Sequence, residues 1–429
     1  MHTSAHQHRQ RMRRRLTTAL IATASTVAFL PGAASADSTV NLSFSEWWAP
    51  QMAGNNSLQN LVNQFEQQNP GIHVTLDTNP YPTVESQTIA QAATGTMADV
   101  VGLDGSWVNP LVKEGALLNL SSEMKQTGFN QSTLKSQVQL NGNTYDIPLV
   151  NFAYPLFTNT ALLAKAGIAH PPTDWAQFIS DAVALSKLSK TTWGWIIPLT
   201  LNPPNGAQND VMSWVWASGG SMLKKGQPHL TDNPTVLAVV NMLKEVYKDG
   251  AMFPGPDSVV ETDKVENFIN GRIGMMIDSM ADSSAIATGA PSLKYQVSAL
   301  PVEDGYKGKQ GITVASWGIG VSAKSAHPLQ AWKFVEFLCS KSVNAQIATD
   351  ASGFPGNAQA SPDFTGANPH YKAAFDVYQS RVPMNEFVGL PQSTQLMTDF
   401  VTQFQKFFAG QISATSMLQT VQGQWTKVF

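Results

Sequence analysis

The sequence predicts an α/β protein built from two lobes, and three observations point to it. The chain has 429 residues, more than one small hydrophobic core organises. Strand-like alternation and helical periodicity follow one another along it, and this pattern restarts after a predicted hairpin at Asn141-Gly142. With 43% hydrophobic and 13% charged residues, the chain is globular rather than disordered.

The first stretch alternates strands and helices from Val40 onward. Val40, Leu42 and Phe44 alternate with polar residues as in a strand, and residues 58–65 follow with helical spacing. The pattern then continues with a strand at 72–76, a helix ending near Gly95, a strand at 99–103 and a helix ended by Gly115. Such an order predicts an α/β lobe with a largely parallel sheet.

The second stretch repeats this order and then becomes helical. Strands are predicted at 156–158, 193–197 and 273–277, with helices beginning near Thr160, Thr173 and Asn233. The glycines between Gly305 and Gly311 predict a hairpin turn. After Ala326, helices are predicted around 328–348, 394–409 and 414–427. A ligand site in the cleft between the lobes follows from this organisation.

An export signal is predicted at the start of the chain. Five arginines lie between residues 9 and 15, residues 16–30 are mildly apolar and uncharged, and Ala34-Ser35-Ala36 matches the small-x-small cleavage pattern. We therefore expect residues 1–36 to be a signal peptide cleaved after Ala36. Arg14-Arg15 leaves the general and the twin-arginine export routes open. A membrane anchor is less favoured, because the apolar run is short and interrupted by Thr and Ser.

Cleavage would leave a strongly acidic chain. It removes five arginines and no acid, so 22 basic residues remain against 30 acidic ones, a net charge of −8. The arginines left are Arg272 and Arg381. Nucleic acid and polyanionic ligands require clustered Lys and Arg, so neither is expected as a partner.

Several kinds of site have no counterpart in the sequence. There is no Gly-x-Ser-x-Gly elbow, His-Glu-x-x-His, phosphate loop or paired-cysteine site, so we expect no catalytic residues, metal or cofactor. The single cysteine, Cys339, lies on an apolar helical face and is predicted to be a buried structural thiol. No cysteine stands directly after Ala36 to carry a lipid anchor, so we expect a periplasmic or extracellular location. We also expect a monomer.

Five segments in order resemble the extracellular solute-binding proteins of ABC sugar importers, the group that includes maltose-binding protein. They cover nearly all of the chain after residue 36, and the second is the most specific. The segments are FSEWWAP with FEQQNPGIHV, GTMADVVGLDGSWVNPLVKEGALLNL, YDIPLVNFAYPLFTNTALLAKAGIAHPPTDW, FINGRIGMMIDSM and SWGIGVSAKSAHPLQAWKFVEFL.

The resemblance implies a periplasmic-binding-protein fold with a hinge and a ligand cleft between its lobes. Three crossings are expected, near Leu149 to Asn151, Tyr295 to Val297 and Asp350 to Gly353. Residues 37–149 plus 297–350 would form lobe 1, and 150–296 plus 351–429 lobe 2. The implied function is to bind a mono- or oligosaccharide without changing it and to deliver it to the importer's transmembrane permease.

Sugar binding requires aromatic rings for the apolar face of a pyranose and polar side chains for its hydroxyls. Ligand clefts in open α/β sheets lie at the carboxyl ends of strands, and the candidate residues were selected on that basis or from the resemblance. They are Glu46, Trp47, Trp48, Asp104, Asn151, Tyr154, Asp278, Met280, Trp317 and Arg381.

Structural roles compete with ligand binding at several of these positions. One of Trp47 and Trp48 is expected in the core, Asp104 would equally serve as a helix cap, and Arg381 would equally lie on the surface. Other tryptophans fall on apolar helical faces or on one strand and are predicted to be core. They are Trp175, Trp193, Trp195, Trp214, Trp216, Trp332 and Trp425.

Two other classes of protein would use some of the same residues. A glycoside hydrolase also needs aromatic platforms, together with two close carboxyls, which Glu46, Asp104 and Asp278 would supply. An adhesin or surface scaffold would not explain polar and aromatic residues at strand ends. The resemblance favours binding without turnover over both.

Overall fold

The computed structural model describes residues 39–52, 56–365 and 368–429, so the predicted signal peptide and its cleavage site lie outside it. The strands are β1 (Val40–Glu46), β2 (Ile72–Thr78), β3 (Val100–Leu103), β4 (Val138–Leu140), β5 (Asn143–Ala153), β6 (Leu156–Asn159), β7 (Trp193–Trp195), β8 (Leu223–Lys224), β9 (Gln227–Pro228), β10 (Ile273–Ile277), β11 (Tyr295–Ser298), β12 (Gly311–Val321), β13 (Phe354–Pro355) and β14 (Val382–Met384).

Helices separate most of these strands, and capping side chains fix where several begin. Asn159, Asp174 and Asn233 accept hydrogen bonds from backbone N–H groups at the starts of α5, α6 and α8. The helices are α1 (Ser57–Gln68), α2 (Tyr81–Thr94), α3 (Val108–Lys113), α4 (Leu120–Thr127), α5 (Thr160–Lys165), α6 (Trp175–Ser186), α7 (Met212–Ala217), α8 (Pro234–Lys248), α9 (Glu261–Ile269), α10 (Ser283–Gly289), α11 (Pro328–Leu338), α12 (Lys341–Asp350), α13 (Pro369–Ser380), α14 (Ser393–Phe408) and α15 (Ala414–Trp425).

The larger sheet has the strand order β13-β5-β12-β3-β1-β2, with β14 beside β12 and β4 beside β5. Strand β1 is parallel to β2 and β3, whereas β12 is antiparallel to β3 and β5. The prediction of a largely parallel sheet was therefore too simple: it holds for the strands that precede residue 104. The later strand β12 enters from a distant part of the sequence and makes the sheet mixed.

The smaller sheet has the order β11-β6-β10-β7. The chain leaves the larger sheet after Ala153 and enters the smaller one at Leu156, and it returns between Ser298 and Gly311. The predicted hairpin at Gly305 to Gly311 is wrong, because β11 pairs with β6 and β12 pairs with β5 and β3. The glycines instead lie in the connection between the two sheets.

Three hydrophobic cores support these sheets. One packs α1, α11 and α12 against the larger sheet, and another packs α6, α8, α14 and α15 beside the smaller sheet. A third cluster includes Phe157, Phe268 and Tyr371, where α13 lies against β11. Lobe boundaries stay a prediction, but these cores show which elements carry each wall of the cavities described below.

Most of the tryptophans predicted to be core are confirmed as buried. Those exposing 5% or less are Trp175, Trp195, Trp214, Trp216, Trp332 and Trp425. Trp193 is only partly buried and packs edge-on against Phe253. Cys339 is buried, and its burial raises the pKa of the thiol to about 12, as a structural cysteine requires. Within the described ranges, no helix combines the length and the apolar character that a membrane span needs.

Candidate functional site

A two-stranded ribbon formed by β5 and β12 organises the candidate site. Asn151 pairs with Ser316 and Phe152 pairs with Ala315, so each pair of side chains shares one face of the ribbon. Phe152 and Trp317 line a cavity on one face, which we call the aromatic pocket. Asn151 lines an adjoining cavity, which we call the polar pocket. Asp104, Ala315 and Ser316 border both.

The aromatic pocket has a volume of about 290 Å³, and five of its lining residues carry aromatic rings. Trp47 lies at the end of β1, with its ring centroid 5.5 Å from that of Tyr81. Tyr81 begins α2 and is stacked on Trp107 at 6.0 Å, with 42% of the residue exposed. Phe152 packs edge-on against Trp317 at 5.0 Å. These rings offer the flat apolar surfaces against which the C–H face of a pyranose packs.

Three carboxylates lie among these rings. Asp104 follows β3, Glu261 begins α9 and Asp282 precedes α10, and all three line the aromatic pocket. Asp104 accepts a hydrogen bond from the Tyr81 hydroxyl at 3.3 Å, and its negative charge raises the pKa of Tyr81. Of the described residues that line this pocket, none is basic. The pocket can therefore accept hydrogen bonds from hydroxyl groups and repels anions.

A buried ammonium holds Glu261 in place at the pocket wall. Lys264 is fully buried, and its Nζ lies 3.3 Å from Asp210, 3.4 Å from Glu261 and 4.0 Å from Asp278. Burial lowers the pKa of Lys264, but the carboxylates of Asp210 and Asp278 outweigh it and raise the pKa above its usual value. The ammonium thus offsets part of the acidic charge behind the pocket.

Asn209 links this charged group to the ring wall. Its Nδ2 lies 3.3 Å from Oε1 of Glu261 and 3.3 Å from the hydroxyl of Tyr154. Tyr154 is buried and lines the aromatic pocket. The carboxylate of Glu261 is therefore held from two sides while part of it stays exposed to the pocket, which is the preorganisation that specific hydrogen bonding to a ligand needs.

Comparison with protein-family models adds a match over most of the chain. Residues 49–345 match the model described as bacterial extracellular solute-binding protein. The chain belongs to this family. The matched range includes strands β2 to β12 and all three carboxylates of the aromatic pocket.

Binding proteins from other bacteria are similar to this solute-binding protein in sequence. A binding protein of Brucella abortus (strain 2308) is 27% identical over 331 residues, which cover 76% of each chain. The multiple sugar-binding protein of Streptococcus mutans is 22% identical over 296 residues, covering 66% of this chain and 67% of the relative.

Solved structures share the fold of this solute-binding protein. An ABC transporter solute-binding protein from Thermotoga lettingae, bound with α-D-tagatose, superposes with a TM-score of 0.73 at 18% identity, covering 91% of this chain and 99% of that one. The cyclic α-maltosyl-1,6-maltose-binding protein from Arthrobacter globiformis gives a TM-score of 0.76 at 14% identity, with 91% and 98% covered. These similarities establish the two-lobed periplasmic-binding-protein fold.

The predicted ligand residues of the solute-binding protein divide into those that line a pocket and those in the interior. Trp47, Asp104, Tyr154 and Trp317 line the aromatic pocket. Asp104 also caps the turn that follows it, accepting from the backbone N–H of Ser106 at 2.9 Å. Both roles proposed for this residue from the sequence are therefore compatible with the geometry.

Glu46 and Trp48 are fully buried beneath the pocket rather than exposed to it. Glu46 accepts hydrogen bonds from the backbone N–H groups of Trp48 and Ala49 and from the Thr78 hydroxyl. Trp48 is stacked on Trp317, with centroids 5.6 Å apart and planes 6° from parallel. In this structure both residues support the pocket floor without reaching its interior.

The remaining candidates lie in three different places. Asp278 and Met280 are fully buried next to the aromatic pocket and do not line it, and burial raises the pKa of Asp278. Asn151 lines the polar pocket. Arg381 is half-buried, lines a narrow crevice with Tyr154 and donates to the Ser380 carbonyl at 3.3 Å.

The pocket residues that the sequence analysis did not select include Tyr81, Glu261 and Asp282. Tyr81 follows the carboxyl end of β2, so the rule that selected Trp47 and Asp104 would have found it. Glu261 begins a helix, and no local pattern marks it, because its position depends on contacts with Asn209 and Lys264 from other parts of the fold. Asp282 lies four residues after Asp278, in the short turn that follows β10.

Proposed function

We propose that this solute-binding protein holds a neutral sugar in the aromatic pocket and delivers it to the membrane permease of an ABC importer. The observation that carries the proposal is the pairing of ring faces from Trp47, Tyr81 and Trp317 with carboxylates that accept hydrogen bonds. Similar proteins whose names or structures mention tagatose, a maltose-derived ring and multiple sugars support the same class of ligand.

The charge of the pocket favours a neutral sugar over an acidic one. Asp104, Glu261 and Asp282 line it, and no basic residue does so within the described part of the chain. A ligand carboxylate or phosphate placed a few ångströms from these groups would be repelled by about 1 kcal/mol or more per pair. Hydroxyl groups, in contrast, donate hydrogen bonds to carboxylates and gain from the arrangement.

Closure of two lobes around the sugar is part of the proposal. Trp47, Tyr81 and Trp317 come from elements of the larger sheet, while Glu261 and Asp282 adjoin the smaller sheet. With lobe 1 as residues 37–149 plus 297–350 and lobe 2 as 150–296 plus 351–429, these walls belong to different lobes. A sugar that contacts both walls only when they meet would stabilise the closed state by those extra contacts.

Binding without turnover is proposed in preference to hydrolysis. The hydrolase alternative used Glu46, Asp104 and Asp278, and of these only Asp104 lines the aromatic pocket. Each sugar that binds should therefore be recovered unchanged after incubation with the protein. Chromatography of the incubation mixture tests this, and catalytic release of a new saccharide would show that the protein is an enzyme.

Export and oligomeric state complete the proposal. Cleavage after Ala36 would release residues 37–429 outside the cytoplasm, where a monomer would meet the permease. N-terminal sequencing of the exported protein should begin at Asp37. A mature protein that retains residues 1–36 would contradict the proposed signal peptide, and gel filtration with light scattering tests the monomer.

The ligand class is tested by calorimetry on residues 37–429. Neutral mono-, di- and oligosaccharides are titrated alongside glucuronate, which matches glucose except for its carboxylate. At least one neutral sugar should bind and raise the melting temperature by mass action, whereas glucuronate should bind far more weakly than glucose. Tighter binding of glucuronate than of every neutral sugar would refute the proposed ligand class.

A further inference from the structure

A group of ionisable side chains lies behind the aromatic pocket, and we call it the acid–ammonium cluster. Three of its carboxyls, Asp210, Glu261 and Asp278, lie within 4.0 Å of the Lys264 ammonium, and the fourth, Asp282, lies beside Asp278. Asp210, Asp278 and Lys264 are fully buried, whereas Glu261 and Asp282 line the pocket. The cluster therefore connects the buried interior with the surface that a sugar in this pocket would cover.

The charges of this cluster do not balance. With every carboxyl ionised, four negative charges would lie around one positive charge. Like charges at such separations repel strongly where little water screens them, so the cluster retains protons that isolated carboxyls lose. Burial raises the pKa of both Asp278 and Asp282, and the charge of Glu261 raises both further.

The hydrogen bonds of Asp278 indicate where one of these protons lies. Its Oδ1 accepts from the backbone N–H of Ser279 at 2.8 Å, while its Oδ2 is buried and has no donor among the described residues. The carboxyl of Asp282 is within hydrogen-bonding reach of Asp278. Two carboxyls form a hydrogen bond only if one of them carries a proton. Because Asp278 is the buried member of the pair, it holds that proton, and Asp282 is the carboxylate that faces the pocket.

The other ionisable groups that face this pair come from several elements. Glu261 and Lys264 lie on α9, Asp210 lies just before α7, and Tyr154 follows β5. Burial and the negative charges of the cluster raise the pKa of the Tyr154 hydroxyl, which keeps it neutral. Of the groups whose charge acts on the pair within the described ranges, Lys264 alone is positive. The opposite wall of the pocket adds Asp104 and Tyr81.

A sugar in the aromatic pocket would displace the water that screens Glu261 and Asp282. Its hydroxyls replace the hydrogen bonds of that water but not its screening, so the repulsion among the carboxylates increases. A proton added to Asp282 relieves this repulsion. Sugar binding and proton binding should therefore strengthen each other, since linkage between two sites is reciprocal.

We propose that a sugar entering the aromatic pocket draws a proton from solution onto the carboxylate of Asp282, so that the sugar binds more tightly at acidic than at alkaline pH. The inference rests on the proposed function, because it concerns the sugar held in that pocket. The proton comes from the buffer, and one O–H bond forms on Asp282. The neutral carboxyl can then donate a hydrogen bond to a sugar oxygen.

Calorimetry in two buffers counts the protons taken up. Residues 37–429 are titrated with D-glucose, maltose and maltotriose at about pH 6, 7 and 8, because a carboxyl with a raised pKa titrates in this range. Each titration is made in phosphate, which has a small heat of ionisation, and in imidazole, which has a large one. The difference between the two binding heats, divided by the difference in ionisation heat, gives the protons taken up per sugar. An uptake of about 0.3 proton corresponds to about fourfold weaker binding at pH 8 than at pH 6, and we expect at least this change.

Two matched variants assign the uptake to a residue. Asp282→Asn keeps the size of a neutral carboxyl but cannot gain a proton, so its uptake should largely disappear and its affinity should no longer vary with pH. Asp376→Asn is the control, because Asp376 lies on α13, pairs with Lys372 and leaves 61% of its side chain exposed. This control should keep the wild-type uptake, and thermal unfolding shows whether each variant is folded.

Sugar binding without proton uptake at any of the three pH values, or with proton release, would overturn this inference and leave the proposed function intact. The same uptake in Asp282→Asn as in the wild type would also overturn it. If that variant does not fold, the wild type alone decides, and an affinity that does not fall with rising pH would count against the inference. Absence of binding by every neutral sugar tested would refute the proposed function, and this inference with it.

Discussion

Tyr81 provides the sharpest test of the aromatic pocket, because its ring is exposed to the pocket and was not among the residues that the sequence indicated. A tyrosine side chain offers on the order of 200 Å² of surface, so the 42% that Tyr81 leaves exposed corresponds to about 80 Å². If the sugar covers this surface, its burial is worth about 2 kcal/mol at about 25 cal/mol per Å². Tyr81→Ala should therefore weaken binding about thirtyfold.

Two matched variants show which part of Tyr81 matters. Tyr81→Phe keeps the ring and removes the hydroxyl that donates to Asp104, so its affinity should stay within a few-fold of the wild type. Leu329→Ala removes a side chain that is 44% exposed in a groove beside Lys333, away from the aromatic pocket, and should not change the affinity.

Calorimetry with the tightest neutral sugar found for the wild type measures all three variants, and thermal unfolding shows that each is folded. Wild-type affinity for Tyr81→Ala would refute the stacking role, and with it the view that α2 supplies one wall of the sugar site. A loss in Tyr81→Phe as large as that in Tyr81→Ala would instead assign the effect to the hydrogen bond with Asp104.

Three further predictions concern the interior. Trp332→Ala should lower the free energy of unfolding by about 3–5 kcal/mol in denaturant titrations while the folded fraction keeps its affinity, because Trp332 is fully buried in the larger sheet's core. Lys264→Met should cost about 3–5 kcal/mol by the same assay, because it leaves Asp210 and its neighbouring carboxyls buried without their ammonium; unchanged stability would contradict the importance of this charge group. Stability should also fall as pH rises from about 4 to about 7, since burial raises the pKa of Asp210 to about 7 and the folded state keeps a proton that the unfolded state has lost; melting curves of Asp210→Asn should show a weaker pH dependence over that window.

The sequence predicts the wall of the aromatic pocket formed by elements of the larger sheet better than the wall beside the smaller sheet. Trp47 and Asp104 follow strands whose alternation and length are visible locally, and the carboxyl ends of parallel strands meet at one edge of a sheet. Which of Trp47 and Trp48 faces the pocket was not predictable, because the choice depends on the stacking of Trp48 on Trp317, 269 positions further along the chain.

In the wall beside the smaller sheet, residue type and strand position do not predict which of Asp278 and Glu261 lines the pocket. Asp278 follows β10 directly, as the strand-end rule requires, yet it is fully buried, while Glu261 borders the pocket from the start of α9. Both carboxyls lie near the ammonium of Lys264, one turn into α9, whose Nζ is 3.4 Å from Glu261 and 4.0 Å from Asp278. Burial raises the pKa of Asp278 above its ordinary value, although the ammonium of Lys264 acts to lower it. Of the carboxyls near this ammonium, Glu261 is the one that lines the aromatic pocket, and 30% of its side chain is accessible. These charged groups come from three separate segments of the chain. No single stretch of sequence therefore shows which carboxyl will line the pocket.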